Sequence, residues 1–337
     1  MHMAMQFLSD NAAAVHPKVW AAMQAADASD RPYDGDALSA RLDAAFAALF
    51  GQDCAALWVA SGTAANGLAL AALVPPHGSA ICHEQAHIET SECGAPGFYT
   101  GGARLHLARG DGAKFAPAAI GEVLATIRGD VHQPLPSAVS ITQASEYGLT
   151  YRPGEVAAIV AVAREHGMRL HMDGARFANA VAFLGCAPAA ASCAAGVEVL
   201  SFGCVKNGGM GAEALVFFDP ALADATRYRR KRAGHLQSKG RFLASQVLAM
   251  VEGELWLDNA KAANAAAQEI GASAGARLLH AVESNQVFFT STAAERAALR
   301  AQGFGFYDWG EDAARVVTAW DARADHVAAM ARAIARL

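Results

Sequence analysis

Short apolar runs alternate with helical patterns between residues 41 and 218, and this alternation limits the possible folds more than any other feature. One run, 55–60, leads through Ser61 into a helical pattern, and another, 169–172, ends at Asp173. Strands that alternate with helices predict an α/β fold in which helices cover both faces of a mostly parallel sheet. Further strands are predicted at 78–82, 138–142, 197–202 and 214–218, and helices at 41–50, 64–73, 122–128 and 153–166.

The pattern changes after Pro220, where a basic helical segment begins. Helices and strand-like segments there are typical of a smaller α+β domain. We therefore expect an N-terminal segment and a large domain in residues 1–240, and a small domain in residues 241–337. The predicted helices of this part lie at 221–251, 260–276 and 322–337, and its predicted strands at 281–289, 303–307 and 315–320.

Alanine accounts for much of the apolar content. Of the 337 residues 53% are hydrophobic, but 82 are alanines with small methyl side chains. The longest membrane-like stretch without Asp, Glu, Lys or Arg, 55–76, has Ser61, Thr63 and Asn66 at its centre, whereas a membrane-spanning helix needs about 20 mostly apolar residues. The first residues lack the basic and apolar regions of a secretory signal. We expect a cytoplasmic protein that does not bind membranes.

Charge and cysteine spacing argue against a nucleic-acid-binding protein and against a zinc protein. The net charge of −5 is unlike the basic face of a nucleic-acid binder, and the basic cluster 227–232 is short. The six cysteines form no Cys-x-x-Cys pair and have no histidine partners at zinc spacing. We therefore expect reduced thiols, no metal site and no nucleic-acid partner.

Polar residues follow two of the predicted strands. Ser61, Gly62 and Thr63 stand between a strand and a helix, where free backbone N–H groups favour a phosphate, although the same residues suit an ordinary capped helix. Asp173 ends another strand, at the edge where open α/β sheets bind ligands. Its alternative role is to cap a helix, with Arg176 in a salt bridge.

Two basic side chains complete the candidate site. Lys206 lies among glycines after a strand, and a desolvated lysine can act as a nucleophilic amine, although a solvated loop lysine is the alternative. His87 is able to stack on a planar ring or to serve as a structural histidine. Asp173 and Lys206 are 33 residues apart, which leaves room for one helix and one strand.

Together these groups are the ones that pyridoxal 5′-phosphate (PLP) requires. A lysine binds the cofactor covalently, a carboxylate keeps its pyridine nitrogen protonated, and a helix N-terminus holds its phosphate. The order of the motifs along the chain is a phosphate turn, an imidazole, a carboxylate and an amine. The sequence therefore predicts a PLP enzyme.

Several motifs in this order make the chain similar to a known family. It resembles the L-threonine aldolases, PLP enzymes of the aspartate aminotransferase fold type (fold type I), and most of all the low-specificity L-threonine aldolase and phenylserine aldolase branch. The resemblance extends over nearly the whole chain. The motifs that carry it are residues 8–11 (LSDN), 33–36 (YDGD), 61–63 (SGT), 86–88 (AHI), 172–176 (MDGAR), the Lys206 loop, 231–234 (KRAG) and 315–318 (RVVT).

The resemblance implies a seven-stranded sheet in a large PLP-binding domain. It also implies cleavage of L-threonine, L-allo-threonine or phenylserine to glycine and an aldehyde, by a homodimer or homotetramer. Lys206, Asp173 and His87 would be catalytic. Gly62, Thr63, His87, Asp173, Arg176 and Lys206 would bind the cofactor, with Gly62 and Thr63 at its phosphate and His87 stacked on its ring. Ser9, Arg176 and Arg315 would bind the substrate carboxylate, and Tyr33 and Lys239 would reach a neighbouring subunit's site.

One departure from the family pattern concerns the general base. Related aldolases carry a second histidine in a Glu-Asn-Thr-His-Asn-Gly stretch, where this chain has residues 143–148 with Glu146 in place of that histidine. The base therefore stays open between His87, Glu146, a bound water and the cofactor phosphate.

Two other functions fit the same residues. A PLP-dependent β-eliminating lyase or racemase of this fold would break a different bond, and a non-catalytic scaffold would keep the fold alone. Product analysis separates the enzymes from one another, and the visible absorbance of bound cofactor separates them from the scaffold.

Overall fold

The computed structural model describes residues 5–337. The strands are β1 (Met5–Gln6), β2 (Ala55–Val59), β3 (Ser79–His83), β4 (Arg104–Ala108), β5 (Pro136–Thr142), β6 (Arg169–Gly174), β7 (Val199–Phe202), β8 (Glu213–Phe217), β9 (Gln286–Thr290), β10 (Phe304–Gly305), β11 (Tyr307–Trp309) and β12 (Ala313–Val317). The helices are α1 (Pro17–Ala25), α2 (Leu42–Phe50), α3 (Gly62–Leu73), α4 (His87–Thr90), α5 (Ala95–Thr100), α6 (Pro117–Leu124), α7 (Pro153–Glu165), α8 (Phe177–Leu184), α9 (Ala223–Arg232), α10 (Arg241–Val251), α11 (Leu255–Ala274), α12 (Ala293–Ala301) and α13 (Ala324–Ile334).

Seven strands form one sheet in the order β2-β8-β7-β6-β5-β3-β4. Strand β8 is antiparallel to both of its neighbours, and the other neighbouring pairs are parallel. This confirms the predicted mostly parallel α/β sheet. Because β8 enters from the edge where β2 and β7 end, its first residue, Glu213, pairs with Val59. That edge of the sheet carries the candidate site.

Alternate side chains of β2 enter two different cores. Ala56 and Trp58 belong to one buried cluster, and Leu57 and Val59 belong to another. Residues that alternate along a strand point to opposite faces of the sheet, so both faces are covered. Burial on both faces explains why the central strands are continuous apolar runs.

The C-terminal part of the chain has a sheet and a core of its own. Strands β11, β12 and β9 form an antiparallel sheet, and its buried Phe289 and Val316 pack with Met330 of α13. Strand β1 pairs with β10, so the start of the described chain joins this part of the fold. An α+β unit thus follows the large sheet, and the boundary at residue 240 stays a prediction.

Some predicted elements differ from the structure. The predicted helix 221–251 is interrupted, because α9 ends at Arg232 and Gly234 adopts a left-handed φ of 78° before α10 begins. Helix α6 begins earlier than predicted, at Pro117, which suits a first helical turn. Strand β4 is not predicted, because this half-exposed edge strand lacks an apolar run.

Within residues 5–337, no helix is both long and apolar enough to cross a membrane. The uncharged stretch 55–76 folds as β2, a turn and α3.

Candidate active site

A cavity of about 310 Å³ lies at the edge of the large sheet where β2, β6 and β7 end. Open α/β sheets bind ligands at this edge, and cavities from about 300 Å³ upward hold small organic ligands. Most of the predicted site residues line it, namely Gly62, Thr63, His87, Asp173, Arg176 and Lys206. Ser9 and Arg315 are not among the lining residues.

The N-terminus of α3 opens into this cavity. Ser61 is the capping residue, and its hydroxyl oxygen accepts a hydrogen bond from Ala64 N–H at 3.3 Å. Gly62 and Thr63 form the first turn, where backbone N–H groups have no partner within a helix. The turn is therefore both a capped helix start and a possible anion site, since one arrangement does not exclude the other.

Asp173 is a buried acceptor rather than a helix cap. Its Oδ2 accepts a hydrogen bond from Asn66 Nδ2 at 2.9 Å, and its Oδ1 accepts one from Ala175 N–H at 3.0 Å. Helix α8 begins only at Phe177, with Arg176 in the capping position. The carboxylate therefore faces the cavity at the end of β6 and is available to a ligand.

Lys206 lies on a short 3-10 turn, Val205–Asn207, after β7. It lines the cavity, so the alternative of a solvated loop lysine does not describe its position. Burial, together with the positive charge of Arg176, lowers the pKa of Lys206. A lowered pKa increases the share of neutral amine, which is the nucleophilic form.

His87 is the first residue of α4 and is held at two points. Its backbone N–H donates to Glu146 Oε1 at 2.9 Å, and its Nδ1 lies 2.8 Å from Glu92 Oε1. The His87 side chain is 44% exposed, whereas that of Glu92 is fully buried. The imidazole thus faces the cavity while its other edge is tied to the protein.

Arg176 forms a two-point ion pair with Asp10. The distances are 2.7 Å from Nε and 2.9 Å from Nη2, and Asn285 Nδ2 donates to the same carboxylate at 2.9 Å. Burial opposes ionisation of Asp10, but the charges of Arg176 and Lys206 outweigh it and lower the pKa of Asp10. Asp10 therefore fixes the orientation of the guanidinium.

Arg315 and Ser9 lie beside this group rather than on the cavity wall. Nε and Nη2 of Arg315 donate to Gln286 Oε1 at 3.2 and 2.9 Å. Burial and the nearby charge of Arg176 lower the pKa of Arg315 to about 10. The Ser9 hydroxyl oxygen accepts a hydrogen bond from Asn11 N–H at 3.2 Å. Their role toward a substrate stays a prediction.

Tyr33 and Lys239 lie next to each other, outside the cavity lining. They form a β-bridge, and Tyr33 N–H donates to Ser238 O at 2.9 Å. Tyr33 is 38% exposed, with Lys231 Nζ 4.2 Å from its ring centre. The pair thus forms one surface position, and its contact with a second chain stays a prediction.

Two carboxyl groups at the cavity have raised pKa values. Burial, with the negative charge of Asp173, raises the pKa of Glu146 to about 7. Burial also raises the pKa of Glu213 to about 7, although its carboxylate accepts hydrogen bonds from the backbone N–H groups of Cys204 and Val205. Groups that titrate near neutral pH in a cleft are typical of catalytic sites.

Sequence reasoning missed four polar residues around the cavity. They are Asp10, Asn66, Glu92 and Glu213. Glu213 had a detectable signal, because a charged residue begins an otherwise apolar strand. Asp10 and Asn66 acquire their roles only through contacts that are distant in sequence. Glu92 contacts His87, five residues before it, and no local pattern marks that contact. Among the described residues, no group of three or more His, Cys, Asp or Glu side chains is placed to hold a metal ion.

The chain matches the model of a family described as beta-eliminating lyase over residues 6–294. It belongs to that family. It is also 46% identical to the low specificity L-threonine aldolase of Pseudomonas aeruginosa, over 98% of this chain and 96% of the relative. The predicted resemblance to the threonine aldolases is therefore confirmed, and with it the assignment to a lyase family.

Solved structures agree with this membership. A threonine aldolase of Leishmania major has a TM-score of 0.91 at 26% identity and covers 98% of both chains. An aspartate aminotransferase of Rhodobacter sphaeroides has a TM-score of 0.72 at 14% identity, covering all of this chain and 93% of its own. The second likeness shows the fold alone, and it confirms the aminotransferase fold type.

Members of this family use PLP, so the predicted cofactor is confirmed, and the cavity can be tested for its fit. Within residues 5–337, three lining residues have a buried oxygen atom without a hydrogen-bond partner: Asn66 Oδ1, Glu92 Oε2 and Glu146 Oε2. Buried polar atoms in native proteins are almost always paired, so these atoms fit a polar ligand. The groups around the cavity also fit PLP, since an amine, a carboxylate and a helix N-terminus surround it.

Proposed function

We propose that this protein is a PLP-dependent aldolase that cleaves L-threonine, L-allo-threonine and related β-hydroxy-α-amino acids such as phenylserine to glycine and an aldehyde. The observation that carries the proposal is the position of Lys206, Asp173 and Arg176 around one cavity in a chain 46% identical to a low specificity L-threonine aldolase. When bound, PLP supplies an electron sink for the electrons of the broken bond.

Each residue has a proposed task. Lys206 binds the cofactor covalently, Asp173 holds the proton on its ring nitrogen, and His87 packs on its ring. The first turn of α3, Gly62 and Thr63, binds its phosphate.

The substrate is oriented through its carboxylate. Arg176 and Arg315, with Ser9, bind this group, since a planar guanidinium matches a carboxylate at two points. Holding the substrate by the carboxylate would fix the direction of its Cα–Cβ bond relative to the cofactor, and such orientation supplies much of the rate enhancement of enzymes.

We also propose a division into a PLP-binding domain, residues 1–240, and a small domain, residues 241–337. A homodimer or homotetramer is proposed, in which the exposed Tyr33 and Lys239 contact the neighbouring site. The cytoplasm is the proposed location.

Product analysis tests the proposed reaction. We expect the PLP-loaded protein to release glycine with acetaldehyde from L-threonine and L-allo-threonine, and glycine with benzaldehyde from phenylserine. Chromatography of glycine and a coupled aldehyde assay measure the two products. β-Elimination deserves the parallel assay because the family model carries that description. Formation of ammonia and a keto acid without glycine would show that the protein is an eliminating lyase and not an aldolase.

The raised pKa of Glu146 gives a prediction about the general base. Near pH 6 its carboxyl group is mostly protonated and resembles glutamine, whereas near pH 8 it is mostly ionised and able to accept the β-hydroxyl proton. We expect the ratio of wild-type kcat to Glu146→Gln kcat to be close to tenfold larger near pH 8 than near pH 6, because the ionised fraction of Glu146 rises from about a tenth to about nine tenths and a general base contributes about 10²-fold or more. The measurement is kcat against pH. A constant ratio between the two proteins from pH 6 to pH 8 would leave His87 as the side-chain base.

A further inference from the structure

A chain of hydrogen bonds, buried from Glu92 to Asp173, connects His87 to Asp173. His87 Nδ1 lies 2.8 Å from Glu92 Oε1, Asn66 Nδ2 donates to the same oxygen at 2.9 Å, and Asn66 Nδ2 also donates to Asp173 Oδ2 at 2.9 Å. The chain runs from α4, through the segment after it, to α3 and the end of β6. It thus joins the two residues proposed to contact the ring face and the ring nitrogen.

The chemistry of Asn66 fixes the direction of these bonds. Asn66 lies between two carboxylates. An ionised carboxylate accepts hydrogen bonds and donates none, so the NH₂ group of Asn66 must face both of them. Its carbonyl oxygen, Oδ1, then points away and has no partner among the described residues. Asn66 therefore donates hydrogen bonds to two acidic residues through one amide group.

The same reasoning orients His87. Glu92 Oε1 accepts a hydrogen bond from Nδ1–H, so a neutral His87 keeps its lone pair on Nε2. The carboxylate of Glu92 is fully buried, so this contact is shielded from water on the Glu92 side. Glu92 thus controls the orientation of His87.

The geometry points to Glu92 and Asn66 as positioning residues that orient His87 and Asp173 toward the cofactor. This inference rests on the proposed function, because it assumes PLP in the cavity. It does not depend on which bond of the substrate is broken.

Other charged and titratable groups surround His87 and must be controlled for. Glu146 accepts its backbone N–H and has a pKa raised to about 7, so it titrates in the range of interest. Glu89 lies on the same helix and is exposed. The remaining groups are Tyr99, whose pKa is raised by burial and by Glu92, and, around the cavity, Asp173, Arg176, Lys206 and Glu213.

The test is a pH titration of the visible absorbance of the PLP-loaded protein without substrate. It is made in a Glu146→Gln background, which removes the titration of that residue. Glu92→Gln keeps the shape of the side chain and removes its charge. We expect the midpoint of the absorbance change to move to lower pH by about one unit, because the protonated form of the bound cofactor loses the stabilising negative charge of Glu92.

Three further variants sharpen this test. Glu89→Gln removes an exposed carboxylate from the same helix and should leave the midpoint unchanged. Glu92→Asp keeps the charge and should restore the midpoint to within about 0.3 units of the starting value, a small part of a typical charge effect. Asn66→Ala breaks the link to Asp173 while retaining Glu92, and it should shrink the shift caused by Glu92→Gln to less than half.

The outcomes separate this inference from the proposed function. An unmoved midpoint in Glu92→Gln would show that Glu92 is merely structural. An equal shift with and without Asn66 would show that Asn66 does not link Glu92 to Asp173, and either result overturns the inference. If Glu92→Gln does not retain PLP, the failure of Glu92→Asp to restore the midpoint decides against it in the same way. If the wild-type protein released no glycine and aldehyde while the midpoint shift was observed, the proposed function alone would be overturned.

Discussion

Lys206→Ala is expected to abolish turnover and the visible absorbance of covalently held PLP. The amine lines the cavity at the end of β7, and its lowered pKa suits a nucleophile. Alanine leaves the cavity walls in place but removes the nitrogen atom that bonds to the cofactor. We expect kcat to fall by at least about 10³-fold, as for the loss of other covalent catalytic groups.

Two measurements check this expectation besides the rate. Borohydride reduction followed by peptide mass analysis should attach the cofactor to the peptide that contains Lys206 in the wild type and to no peptide in Lys206→Ala. Lys261→Ala, which removes an exposed lysine of α11, is the matched control and should keep both the rate and the adduct. Cleavage by Lys206→Ala at a near wild-type rate would end the assignment of a PLP aldolase.

Asp173→Asn is expected to give the second largest loss, about 10²- to 10³-fold in kcat, the usual cost of removing a preorganised electrostatic group. Both carboxylate oxygens are acceptors in the structure, one for Asn66 and one for Ala175 N–H. Asparagine has one acceptor oxygen, so one of these donors loses its partner. The neutral amide also fails to hold a proton on the ring nitrogen, which weakens the electron sink.

The absorbance of the bound cofactor distinguishes this variant from the first. Asp173→Asn retains Lys206 and should keep the visible band, shifted in its response to pH, whereas Lys206→Ala should lose it. Asp36→Asn is a suitable control, since Asp36 is fully buried and accepts hydrogen bonds from Leu38 and Ser39 N–H groups away from the cavity. If Asp173→Asn turned over at the wild-type rate, Asp173 would only support the local fold.

Much of the site was predictable because its residues follow strands. The turn at Ser61, the carboxylate of Asp173 and the loop of Lys206 each come directly after an apolar run. In a parallel sheet such strand ends meet at one edge, so local pattern and sheet geometry together bring these residues close. Strand ends of the large sheet do not predict the position of Arg315, because Arg315 lies on a strand of the other sheet.

The residues that orient the site were not predictable in this way. Asn66 bonds to Asp173 across 107 positions of the chain, and Asp10 bonds to Arg176 across 166. No local pattern marks a helix asparagine as the donor between two carboxylates. Glu213 reaches the site only because β8 runs against its neighbours and begins where they end.

The sequence therefore contains the fold class, the strand ends and the reactive side chains, because hydrophobic periodicity and turn chemistry are local properties of the chain. Only the tertiary structure decides which buried groups pair with those side chains and how their protonation is shifted. Partners and burial depend on contacts between distant segments, and a side chain such as Glu146 has an ordinary pKa until the fold removes it from water.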